Sequence, residues 1–179
     1  MSLKGKHVAI LIAPRGTEDS EFIQPLKALE KAGASVTVLG LEKGQAETFE
    51  NDLDPVGKHE VDTLVEAVSA EDFDAIVIPG GTVGADKLRA EKQVTALVQA
   101  FAASGKPVAA ICHGPWVLIE AGVAKGRTLT SFPSLKTDIA NAGGNWVDKE
   151  VAVEGGLITS RTPDDLPAFN QALIEALSG

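Results

Sequence analysis

The sequence predicts an α/β protein with a mostly parallel central sheet covered by helices on both faces, and three observations point that way. Short apolar runs alternate along the chain with segments of helical periodicity, the order that builds a parallel sheet. The runs His7 to Ala13, Ala75 to Pro79 and Val108 to Ile111 are almost wholly apolar, as strands covered on both sides must be. With 179 residues, 44% of them hydrophobic, the chain is long enough for one compact domain with a sizeable core.

Taken in order, His7 to Ala13 is the first strand. From Asp19, the residues Phe22, Leu26 and Leu29 recur at i, i+4 and i+7, which predicts a helix that Gly33 stops. Val36 to Leu39 is a second strand. The polar, turn-rich stretch from Glu42 to Glu60 reads as loops or a short hairpin, and Ala75 to Pro79 returns to strand. Val94, Leu97, Val98 and Phe101 form one apolar helix face that ends at Ser104-Gly105, ahead of the strand Val108 to Ile111. Helices follow at Trp116 to Ala121 and Leu135 to Ala140. Val151 to Glu154 and Leu157 to Thr159 form a hairpin turning near Gly155-Gly156. In the last helix Thr162 is the expected cap and Pro163 the first position, with Leu166, Phe169, Leu173, Ile174 and Leu177 as the buried stripe.

Composition excludes several function classes. The longest apolar stretches fall far short of the roughly 18 residues a membrane span needs, so no bilayer crossing is expected. The start of the chain has no signal-peptide pattern, which predicts a cytoplasmic protein. A formal charge of -9 repels phosphate backbones and argues against nucleic acid as a partner. A single cysteine rules out an intrachain disulfide, a CxxC redox pair and a cysteine-rich zinc site. No metal-ligand spacing appears, and no cofactor is expected.

The chemistry gathers where two strands end, the place where open parallel sheets form their ligand crevice. One ending is Pro79-Gly80-Gly81-Thr82; the other is Ile111-Cys112-His113-Gly114-Pro115. A buried strand running through a cysteine into a helix start has the pattern of a nucleophile elbow, which lifts the reactive atom out of the sheet beside backbone N–H groups. A helix N-terminus favours the thiolate, so Cys112 is expected to be exposed and reactive. The alternative is a small buried hydrophobe. His113 is either a proton-transfer partner or a pocket-lining residue, because sequence neighbours usually point apart. His7 and His59 read as structural or solvated. The glycines at 80 and 81 do not fit the dinucleotide-binding order and instead suggest amides presented to a developing oxyanion. Glu18 lies at the same crevice edge, either as a first-turn acid or as a carboxyl beside the thiol, whereas Asp19 and Glu21 read as first-turn acids of the helix.

Five stretches together carry a family resemblance: Gly16-Thr17-Glu18-Asp19-Ser20-Glu21, Ala75-Ile76-Val77-Ile78-Pro79-Gly80-Gly81, the run from Gly105 to Pro115, Gly143-Gly144-Asn145-Trp146-Val147-Asp148, and the run from Thr159 to Pro167. On these, over nearly its whole length, the chain resembles the ThiJ/PfpI superfamily, and most closely its PfpI-type intracellular protease and general-stress branch. The resemblance implies a flavodoxin-like, class I glutamine amidotransferase-like sandwich in which Cys112 is the elbow nucleophile. His113 is then its histidine and Glu18 the acid near the first strand. It also implies that an acid from a neighbouring subunit completes a triad. The matching position is Asp86, which would make a homodimer or hexamer part of the site.

One scaffold hosts several activities. The leading expectation is a cysteine hydrolase in which Cys112 attacks a carbonyl, His113 moves the proton, Asp86 orients the ring, and amides of Gly81 and His113 hold the oxyanion. Its substrate would be a peptide or a small carbonyl compound such as a dicarbonyl-derived adduct. The alternatives are a redox-responsive stress protein, in which Cys112 is oxidised beside Glu18, and a chaperone-like oligomer.

Overall fold

The computed structural model describes residues 2–179. In chain order the strands and helices are β1 (His7–Ile12), β2 (Arg15–Glu18), α1 (Asp19–Ala32), β3 (Ser35–Gly40), β4 (Gly44–Glu50), β5 (Asp54–Val61), β6 (Thr63–Leu64), β7 (Ala75–Ile78), α2 (Thr82–Ala90) and α3 (Lys92–Ala103). Then come β8 (Val108–Ile111), α4 (Pro115–Glu120), β9 (Thr128–Leu129), α5 (Lys136–Asn141), β10 (Asn145–Trp146), β11 (Ala152–Glu154), β12 (Leu157–Ser160) and α6 (Leu166–Ser178).

Seven strands form the central sheet in the order β11-β12-β8-β7-β1-β3-β6, parallel throughout except for the antiparallel β11–β12 edge. The strands β3, β1, β7, β8 and β12 have the flavodoxin-like order 2-1-3-4-5, so the expected fold class is the observed one. Alternation along β1 shows how the sheet divides the interior. Val8, Ile10 and Ile12 face a layer made with α1 and α6, where Phe22, Leu29, Phe169 and Leu173 pack. Ala9, Leu11 and Ala13 face the opposite layer with Leu88, Val98, Phe101 and Leu118, from α2, α3 and α4.

The sequence-based boundaries hold for most elements, and Gly33 ends α1 in the left-handed region at φ 98°. Two places differ. The stretch read as loops or a short hairpin is a long one, β4 pairing antiparallel with β5 and parallel with β2. Its polar surface hid a buried line of Ala46, Thr48 and Phe49. At the last helix Thr162 makes no side-chain capping bond. The turn there is held instead by Asp165, whose carboxylate accepts from the Arg161 backbone N–H at 3.0 Å and from its guanidinium at 2.9 Å.

Among the described residues no helix is long and apolar enough to cross a membrane.

Candidate active site

The ends of β7 and β8 and the start of α1 converge on one sulfur. Cys112 follows β8 at φ 62°, a left-handed conformation that costs a non-glycine residue about 1–3 kcal/mol and persists only where its surroundings fix it. Three hydrogen bonds do so: Cys112 N–H donates to Ser160 O at 3.1 Å, Phe132 N–H to Cys112 O at 2.8 Å, and Gly114 N–H to Ile111 O at 2.8 Å. A Cβ on Gly114 would stand 2.5 Å from the Ile78 carbonyl, so the turn closes against β7 only without a side chain there. The elbow read from the sequence is therefore present.

Its electrostatics differ from expectation. Cys112 is only 8% exposed, and burial pushes the thiol well above its ordinary range, as does the negative charge of Glu21 whenever that carboxyl ionises. The backbone N–H groups of Gly81 and His113, which both reach the sulfur, pull the other way without prevailing. The thiol is buried and biased toward its protonated form, where the helix start suggested an exposed thiolate. Its hydrogen needs an acceptor close by, and His113 Nδ1 stands 3.2 Å from Sγ. The tight turn swings the ring back over the sulfur, with Phe132 stacked on it at 4.7 Å and Trp116 against its edge at 5.1 Å. Burial lowers the pKa of His113 below the usual imidazole value, so the ring is neutral at pH 7 and can accept a proton.

The carboxyl beside the thiol is Glu21 and not Glu18. Glu21 is fully buried; its Oε2 accepts from Gly80 N–H at 2.7 Å, its Oε1 has no hydrogen-bond partner, and its carboxyl is the one whose charge acts on the sulfur. Burial, reinforced by the charge of Glu18, raises its pKa from about 4.5 to about 8. At neutral pH it keeps its proton, and a protonated carboxyl beside the sulfur has a hydrogen to offer it. Gly80 makes room for this contact, since a Cβ there would meet Glu21 Oε2 at 2.5 Å and Cys112 Cβ at 2.7 Å. Glu18 is half-buried at the end of β2, its carboxylate accepting from Asn51 N–H at 3.3 Å. The sequence did carry a signal for Glu21, because Glu21, Pro25 and Leu29 fall at i, i+4 and i+8, on the buried face of α1.

Two further residues escaped the sequence reading. Helix α2 begins directly at Thr82, whose backbone N–H and hydroxyl donate to the carboxylate of Asp52 at 2.6 and 2.8 Å. Asp52 sits at the tip of the β4–β5 hairpin at φ 65°, beside Asn51 at φ 52°. Thr82 Oγ1 lies 3.4 Å from His113 Nε2. Only the hairpin's long-range docking brings Asp52 here, and no local pattern announces it. His59, read as structural or solvated, helps to dock that hairpin: its Nε2 donates to Asp19 Oδ1 at 3.0 Å and its ring packs on Phe22 at 4.7 Å. Asp86 lies exposed on α2, lining a cavity of about 370 Å³ with Pro14, Leu41 and Glu91, and it makes no hydrogen bond or ion pair with His113.

A flavodoxin-like sheet carrying an elbow cysteine, an adjoining histidine and a buried glutamate defines a class of α/β proteins built around a single elbow thiol. Residues 6–176 match the DJ-1/PfpI family, and the chain belongs to it. It is 42% identical over 174 residues to general stress protein 18 of Bacillus subtilis, covering 97% of this chain and 98% of that protein. It is 40% identical over 173 residues to protein/nucleic acid deglycase 2 of Escherichia coli, covering 96% and 98%. Among solved structures, a two-domain protein of Anabaena variabilis with DJ-1/ThiJ/PfpI-like and ferritin-like domains superposes with a TM-score of 0.90 at 39% identity. The match covers 97% of this chain and 48% of that one.

Proposed function

We propose that this protein is a cysteine-dependent hydrolase whose substrates are narrow carbonyl compounds, in the manner of the deglycases it resembles, with a role in stress protection. The observation that carries the reading is the 3.2 Å approach of a neutral His113 Nδ1 to the protonated Cys112 sulfur. In the first step the S–H proton passes to Nδ1 as sulfur bonds to the carbonyl carbon. The amide N–H groups of Gly81 and His113, both within reach of the sulfur, are placed to receive the developing oxyanion. His113 then returns the proton to the oxygen, giving a hemithioacetal; a proton shift from that carbon to the neighbouring carbonyl carbon by way of the same ring converts it into a thioester, which water, activated by His113, hydrolyses to the hydroxy acid and the free thiol. Burial of Cys112 favours small dicarbonyl-derived adducts over extended peptides, which need an open groove along the nucleophile. Asp86, exposed on α2, is proposed to meet His113 from a second copy of this chain, which would make its part in the site depend on oligomerisation.

The test is a parallel assay of methylglyoxal, glycated amino acids and fluorogenic peptides with Cys112→Ala as control. Turnover of the small adducts, abolished in the variant while its circular dichroism is unchanged, is the expected result; undiminished turnover by Cys112→Ala would refute the assignment.

The buried, protonated Glu21 beside Cys112, with one oxygen unpartnered, favours a second reading, in which the sulfur is oxidised to a sulfenic or sulfinic acid held by the Glu21 proton and the Gly81 and His113 amides. Mass spectrometry after low peroxide should then find Cys112 modified, and an unmodified thiol counts against it.

A further inference from the structure

We infer that Asp52, acting through the hydroxyl of Thr82, sets the tautomer of His113 and so makes its Nδ1 the base that faces Cys112. The inference deepens the hydrolase reading and, for its catalytic consequence, rests on it.

The argument is one of hydrogen-bond polarity. A carboxylate only accepts, and both oxygens of Asp52 are engaged by Thr82: Oδ1 by the backbone N–H at 2.6 Å and Oδ2 by the hydroxyl at 2.8 Å. The Thr82 hydroxyl has a single hydrogen, and Asp52 takes it. What Oγ1 then presents to His113 Nε2, 3.4 Å away, is a lone pair. A lone pair pairs only with N–H, so the neutral ring carries its hydrogen on Nε2. Nδ1 is left unprotonated 3.2 Å from Sγ, ready to take the thiol proton. The ring has little freedom to turn away from this arrangement, clamped between Phe132 and Trp116.

The hairpin is built to hold Asp52 in place. Asn51 and Asp52 both occupy left-handed backbone at its tip, and Asn51 N–H is fixed by Glu18 at 3.3 Å. Farther along, Thr48 and His59 both donate to Asp19, at 2.5 and 3.0 Å, tying the hairpin to α1. A single chain thus contains an acid–hydroxyl–imidazole–thiol series. Asp52 is a positioning residue, since it acts through Thr82 and does not touch the reacting atoms.

A purely structural part, with Asp52 capping the start of α2, would leave the ring's hydrogen where it is, and that difference is measurable. In protein labelled with 15N-histidine, three ring systems are present, and long-range proton–nitrogen correlation reads the tautomer of each. The wild type should show the Nε2–H form at His113. Asp52→Asn, which can donate from its amide to Thr82 Oγ1 and reverse the polarity, should move the population toward Nδ1–H; Thr82→Val should give a mixture; Thr82→Ser should retain the wild-type pattern. Alkylation of Cys112 by iodoacetamide, followed by mass, should slow at least about 10-fold in the first two variants and stay near wild type in Thr82→Ser. Turnover, where a substrate is found, should fall about 100-fold or more in Asp52→Asn. An Nδ1–H wild type overturns the inference, and so does a tautomer unmoved by both Asp52→Asn and Thr82→Val, or one that responds to Asp86→Asn but not to Asp52→Asn. If the tautomers behave as expected while every candidate substrate is inert, the hydrolase reading falls and the polarity relay stands.

Discussion

Glu21 and Cys112 lie together in a buried site, and the ionisation of one bears on the other. Glu21 retains its proton in the folded state up to about pH 8, whereas in the unfolded chain it would lose it near 4.5. Between those values the unfolded state binds fewer protons, so stability falls as pH rises through that window. Glu21→Gln keeps the acceptor for Gly80 and a donor toward sulfur but cannot ionise. Its unfolding free energy should vary less between pH 5 and 8.5 and exceed that of the wild type at the upper end by about 1–3 kcal/mol, measured by urea denaturation. His113 governs the other limb. Because burial lowers its pKa, the acid limb of kcat/KM on any accepted substrate should lie below the 6.5 of a free imidazole, and a limb above that value would contradict the assignment of His113 as base.

At the scale of the elements, the junction between β7 and α2 is the tightest packing around the site. Gly81 has φ 86°, and a Cβ there would clash with the Gly16 carbonyl and stand 2.7 Å from Glu18 N. Gly81→Ala should therefore destabilise the fold by about 2–4 kcal/mol and displace the amide that faces the sulfur, giving an earlier denaturation midpoint and slower alkylation of Cys112 together. The same junction shows what a sequence can and cannot disclose. Strand, elbow and helix are contiguous from Val108 to Pro115, so the placement of Cys112 beside His113 follows from local pattern. The helical period of α1 also contained the burial of Glu21, although an acid in a first turn was more naturally read as a dipole partner. Asp52 and Thr82 are 30 residues apart and meet only because the β4–β5 hairpin folds over the crevice. The thiol's ionisation is hidden from local pattern for a related reason: a helix start contributes a local stabilisation, but desolvation depends on everything packed around the sulfur.

Across the whole molecule, the sheet separates two apolar layers, one holding Phe101 and the other Phe169, each fully buried. The parallel strands between them were legible in the sequence as unbroken apolar runs, which is why the fold class could be read before any site detail. Phe101→Leu and Phe169→Leu should each cost about 1–3 kcal/mol in chemical denaturation. Because the two residues lie in different layers, the double variant should match the sum within about 0.5 kcal/mol, and a larger coupling would mean that the strands transmit strain from one layer to the other.

The near-complete enclosure of Cys112 makes molecular girth a criterion of selection. A slim, unbranched electrophile should therefore modify the atom faster than a rigid maleimide ring of similar intrinsic appetite for sulfur. Susceptibility to inactivators would thus be ranked by their cross-section before their chemical strength, and the same sieve would shelter the thiol from casual capture by bulky cellular disulfides.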